Sequence, residues 1–325
     1  MSLSSGSTNE WRSEGLTLPS SSSSRRGSRR AKVRWISSPE LSVARAAYVV
    51  ATGTPCSDVK TESLLIGPIA DINDRLLSAS IDVSAFWNHY FADCFADFDL
   101  PEATASALMA AGCNEMQLDQ TAKIVKNRLV DVRTAFQSRY PKLTEQLELR
   151  GRPLRERWDT YGEGLLREVE RLIWKNSPPS DWWPTRTSAW LVQPLVGGDG
   201  GYDSGGSDGG ERFWIEAMLT DADPQVPEVV RVAWLVTQVA IANHSRQRSG
   251  DTGLLAPWQY ASVPLVLSAA AEVELVRGDE LPIARAMELW NFGDPTTAAR
   301  LTQWWKELTA TPIPLPVALK KLVVT

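Results

Sequence analysis

Two residue types that carry most catalytic and metal chemistry are scarce in this chain. Among 325 residues there are only two histidines, His89 and His244, and three cysteines, Cys56, Cys94 and Cys113. Without clustered imidazoles or thiolates, no zinc or redox site of ordinary spacing can be assembled, and neither a metal nor another cofactor is expected. The odd number and wide separation of the cysteines also exclude a disulfide framework, which points to a reducing, cytoplasmic setting. No run reaches the roughly 20 apolar residues needed to cross a bilayer. The pairs Arg25-Arg26 and Arg29-Arg30 precede an Ala/Val-rich run at 41–52, but Arg45 interrupts it, so a twin-arginine leader is not read there.

What is present is material for a core: 43% of residues are apolar and 22% charged. The formal net charge of −5 is uneven, because residues 1–34 hold seven Lys/Arg against Glu10 and Glu14, leaving the remainder at −10. An acidic body argues against a broad phosphate-binding surface, so nucleic acid is limited to weak contact through this Ser/Arg-rich arm. The arm, 1–34, is read as disordered, with a helical lobe at 35–175 and an α+β lobe at 176–325 after it, two lobes that could equally form one continuous domain.

Periodicity supplies the elements. Leu118, Ala122, Val125, Leu129, Val132, Phe136 and Tyr140 recur in steps of three and four, one apolar stripe on a long helix. A second helix is expected over about 154–174, and Pro39, Pro68 and Pro101 mark first turns or breaks. Strand signals at 189–196 and 212–219 flank GGDGGYDSGGSDGG and predict a hairpin with a long mobile loop over about 197–210. A helix at 227–243 is apolar on nearly every side and should be the centre of the core. Further helices are expected at 264–277 and near Leu281 and Pro295, before an extended proline-rich tail.

The glycine-rich tract lacks the GK[ST] of a phosphate loop and the spacing of an EF-hand. Its Asp203-Ser204-Gly205-Gly206 resembles the nucleophile segment of chymotrypsin-like proteases, a match that low-complexity sequence produces by chance. His89, in FWNHYF, reads as a hydrogen-bonded histidine near a core, and His244 as a helix C-terminal residue. Arg231 is the one charge in the middle of the apolar helix and requires a buried carboxylate; Glu272 is the first choice, with Glu274 and Glu216 behind it. Fourteen tryptophans are present, and in the doublets Trp182-Trp183 and Trp304-Trp305 at least one member of each is expected near the surface or in a second contact, either packed against a flanking loop or in a binding role.

A strand, a helix carrying Glu228 and a later helix supplying Glu272 together resemble the arrangement of zincin metallopeptidases. Pro227-Glu228-Val229-Val230-Arg231 stands where those enzymes have H-E-x-x-H. The resemblance implies a degenerate relative without zinc ligands. The overall expectation is a mainly helical α+β protein: an N-terminal helical lobe, a small β-hairpin and a C-terminal helical core. Its function is expected to be non-enzymatic, a scaffold with an unidentified protein partner. The alternative is a hydrolase-like enzyme whose cleft is lined by Glu216, Glu228, Arg231 and Glu272.

Overall fold

The computed structural model describes residues 31–175, 177–202, 211–247, 255–278 and 280–322. The protein is mainly helical α+β, with eleven helices and one four-stranded sheet among the described residues. The chain enters through β1 (Lys32–Ser37) and passes through α1 (Pro39–Ala51), α2 (Val59–Ser78), α3 (Val83–Phe95), α4 (Leu100–Ala110), α5 (Glu115–Arg139) and α6 (Leu143–Trp174). Then come β2 (Arg186–Val192), β3 (Gly200–Tyr202), β4 (Arg212–Glu216), α7 (Glu228–Gln247), α8 (Leu255–Glu272), α9 (Ile283–Leu289), α10 (Pro295–Ala310) and α11 (Leu315–Leu319).

Local chemistry sets many of these boundaries. Side-chain oxygens of Ser38, Asp58, Asp82, Asp99, Asn114 and Asp294 accept backbone N–H groups at the starts of α1, α2, α3, α4, α5 and α10. Pro39 and Pro101 fall in first turns as expected, whereas Pro68, Pro153 and Pro264 lie inside α2, α6 and α8. Burial of these helices outweighs one lost backbone bond, so α6 and α8 both begin well before the starts read from the sequence. The α5 stripe is buried at Val125, Leu129, Val132 and Phe136. The tail is not wholly extended, since α11 forms within it.

The sheet order is β1-β2-β4-β3. β1 runs parallel to β2, β2 parallel to β4, and only β3 is antiparallel, to β4. The expected hairpin is therefore replaced by a parallel pair, because the first part of the glycine-rich tract forms β3 and turns the chain back. Residues 197–202 of the expected mobile loop are thus part of the fold, while 203–210 lie outside the described residues. Glycine is needed in β3: a Cβ on Gly201 would lie 2.7 Å from Trp214 Nε1, and one on Gly200 3.0 Å from Leu235 Cδ1. β1 is a second correction, since Lys32 and Arg34, assigned to the arm, belong to a strand whose Val33 and Trp35 alternate with them; residues 1–30 lie outside the described residues.

One hydrophobic cluster runs from Val43 to Leu322 and includes residues from both lobes. α7 is its axis, with Val229, Val230, Val232, Leu235, Val236 and Val239 fully buried, and α6 packs across it. Gly151 lets α6 approach the sheet: a Cβ there would sit 2.3 Å from Leu191 Cδ1. Gly151→Ala should therefore destabilise the protein by about 1–3 kcal/mol through overpacking, read as a lowered chemical-denaturation midpoint at unchanged slope.

Candidate functional site

The carboxyl ends of the parallel strands are where open α/β sheets usually place ligands, and here they hold five buried charged residues. The first is Glu216, the last residue of β4, which is fully buried. Its Oε1 accepts the backbone N–H groups of Leu195 (2.8 Å) and Val196 (2.9 Å). Its Oε2 accepts those of Gly197 (3.1 Å) and Gly198 (2.7 Å). Four consecutive amides can converge on one carboxylate because Gly197 and Gly198 adopt φ of +93° and +114°, which glycine takes without strain.

The next residue, Asp199, turns the other way. Its carboxylate pairs with the buried guanidinium of Arg45 on α1, while its Oδ1 accepts Gly200 N–H at 2.8 Å. Arg45 is boxed by aromatic rings, 4.8 Å from the Trp214 centroid and 5.2 Å from that of Tyr48. Cation–π attraction and the ion pair together compensate a charge buried in a core. Neither residue is among the sequence-derived candidates, although Arg45 breaking an Ala/Val run on α1 is the signal that identifies it.

Arg231 is 1% exposed, and its partner is Glu228, at 3.2 Å one turn earlier on α7, rather than Glu272. Its Nη2 also donates to the Leu289 carbonyl at 2.9 Å. Burial raises the Glu228 pKa above the ordinary carboxylate range; Arg231 opposes that shift, and the charges of Asp221 and Glu216 add to it. The pair is pressed against the amide loop, since a Cβ on Gly198 would lie 3.1 Å from Arg231 Nη1 and 3.2 Å from Glu228 Oε1. Asp221 caps α7 by accepting Glu228 N–H at 2.9 Å and pairs with Arg157 of α6.

Glu216, Glu228 and Arg231 are therefore brought together, and Glu272 is not. Glu272 ends α8, exposed, 3.8 Å from Arg171, a solvated pair of small energetic weight. The zincin-like layout loses its second glutamate, and Pro227 precedes the helix rather than lying on it. Among the described residues no three His, Cys, Asp or Glu side chains are grouped to hold a metal ion.

Of the tryptophan doublets, only Trp182-Trp183 departs from the expectation that one member lies near the surface. Trp182 and Trp183 are both buried, with ring centroids 5.7 Å apart, because they lie in an irregular segment where neighbours need not face opposite ways. Trp182 and Trp174 pack on the His244 ring at 5.5 and 5.7 Å. Trp304 is buried and donates Nε1–H to the Ala318 carbonyl at 3.0 Å, leaving Trp305 half-buried. His89 is exposed rather than set in a core.

This arrangement makes the buried acids separable by mutation. Glu216→Gln aims an amide NH2 at two N–H donors and should cost about 3–6 kcal/mol of stability, measured by chemical denaturation. Arg231→Met should cost about 3 kcal/mol, with much of the loss recovered by adding Glu228→Leu, whereas Glu272→Leu should stay within about 0.5 kcal/mol. Because folding raises the Glu228 pKa, the unfolded chain gives up this proton first as pH rises. The wild type should then lose stability relative to Glu228→Gln as pH climbs out of the usual carboxylate range.

Compared with known proteins, the chain matches no family model, no curated protein and no solved structure.

Proposed function

We propose that this chain is a non-catalytic scaffold or interaction protein, and that the charges at the carboxyl end of its sheet tie the fold together rather than process a substrate. The observation that carries this reading is the saturation of Glu216: four backbone N–H groups occupy both oxygens of the central carboxylate, which commits its acceptor positions to the loop and not to a substrate. The surrounding pairs are buried as well: Arg45 with Asp199 joins α1 to the loop after β2, and Arg231, paired with Glu228 within α7, joins that helix to the end of α9 through the Leu289 carbonyl.

The contact surface we assign is on α2, where Val59, Ile66 and Leu77 recur at spacings of seven and eleven residues and are 67%, 57% and 64% exposed. Such spacings put them along one face of the helix, an apolar stripe of the kind that protein partners cover. No helix among the described residues is long and apolar enough to cross a membrane. All three cysteines are free thiols, which fits a reducing, cytoplasmic setting.

One observation favours a hydrolase-like second reading. Glu228 is not saturated by hydrogen bonds, and burial biases it toward the protonated form a general acid needs. The readings separate in one experiment on the purified protein. The scaffold reading expects no turnover across peptide, ester and glycoside panels. It also expects in-cell cross-linked partners to be lost in Ile66→Asp/Leu77→Asp while the unfolding midpoint is unchanged. Turnover that disappears in Glu228→Gln would overturn it.

A further inference from the structure

A cavity of about 380 Å³ opens where the first turn of α1, the end of α5 and the start of α6 meet. Pro39, Val43, Pro141 and Leu143 supply apolar wall, with Val43 and Leu143 buried. Its size is that of a small-molecule site, and polar groups make up most of its exposed lining, with a smaller apolar wall beside them.

Two of those groups are oppositely charged and unanswered. Arg133, half-buried on α5, and Glu40, on the first turn of α1, both line the cavity. Among the described residues neither forms an ion pair or hydrogen bond, with each other or with anything else. The α3 groups that feel the charge of Arg133 are Tyr90 and Cys94, and burial raises the pKa of both, that of the Cys94 thiol up to about 12. Tyr140 contributes only its ring, because its hydroxyl is committed to Asp58 at 2.6 Å and Thr61 at 2.8 Å. Asp58 in turn is answered by Arg139 at 3.3 Å. Gln137 and Thr144 complete the rim, and α6 begins there without a side-chain cap, so its first amides add positive potential.

A simple anion entering this cavity meets the repulsion of Glu40, and a simple cation that of Arg133. A ligand carrying both charges on an apolar body satisfies both. We infer that this cavity binds a small zwitterion of the amino-acid type, its carboxylate toward Arg133, its ammonium toward Glu40 and its side chain against Val43, Pro141 and Leu143. The inference is independent of the scaffold reading, because it rests on a different part of the molecule.

The test is calorimetric titration of the full chain with L-leucine and with two matched compounds that each lack one charge, 4-methylpentanoate and isoamylamine. Leucine should bind, and each single-charge analogue should bind about tenfold more weakly, the equivalent of one modest ion pair. Arg133→Gln should weaken leucine by a similar factor. Glu40→Gln alters an exposed residue and leaves packing intact. It should weaken leucine while strengthening 4-methylpentanoate, a reversal that a structural role for Glu40 would not give. Absence of leucine binding, equal binding of leucine and 4-methylpentanoate by the wild type, or leucine binding indifferent to both substitutions would each overturn the inference.

Discussion

The Glu216 carboxylate is the constraint around which the rest of this structure is arranged. A charge with no solvent contact is tolerable only when its lone pairs are filled, and here the backbone of one short loop fills them all. Fixing that loop fixes the segment after it. Asp199 is aimed at Arg45, the chain turns into β3, and β3 pairs with β4, whose last residue is Glu216 itself. Cause and consequence form a closed circuit: the strand delivers the carboxylate, the carboxylate shapes the loop, and the loop supplies the strand's edge partner.

The same loop sets the electrostatics of α7. Gly198 brings its backbone close against the Arg231–Glu228 pair, so the charge of Glu216 reaches Glu228 across that contact. Burial raises the Glu228 pKa, Arg231 holds it back, and the charges of Asp221 and Glu216 push it further up. Arg45 and Asp199 balance each other nearby under an aromatic cover. Within this group two guanidiniums face three carboxylates, so most of the buried charge is compensated inside the group itself, which a protein interior accepts at much lower cost than isolated charges.

Much of the helical framework is legible in the sequence because period and caps are local. The α5 stripe, the proline first turns and the all-apolar face of α7 each depend on residues within a few turns of one another. The sheet is not legible in the same way. Whether the segments at 189–196 and 212–219 pair antiparallel or parallel depends on what lies between them, and glycines usually read as linker are there to make room for Trp214 and Leu235. At the charged site, the need of Arg231 for a carboxylate is readable from its apolar surroundings. The identity of that carboxylate is not, since the i,i+3 neighbour Glu228 and the distant Glu272 satisfy the same sequence criterion. The Arg45–Asp199 pair escapes because its members lie far apart in the chain.

That separation has a kinetic side. β1 leaves the ribosome before every other described element, yet the strand it pairs with comes after six helices, with Lys32 opposite Arg186. Until β2 arrives, β1 has no ladder to join, and its Val33, Trp35 and Ile36 have little to cover them. The helices from α1 to α6, whose contacts are more local, can pack before that moment. Closing the sheet over so long a loop is costly in entropy, so the pairing of β1 with β2 is favoured to follow the local packing of the helices between them.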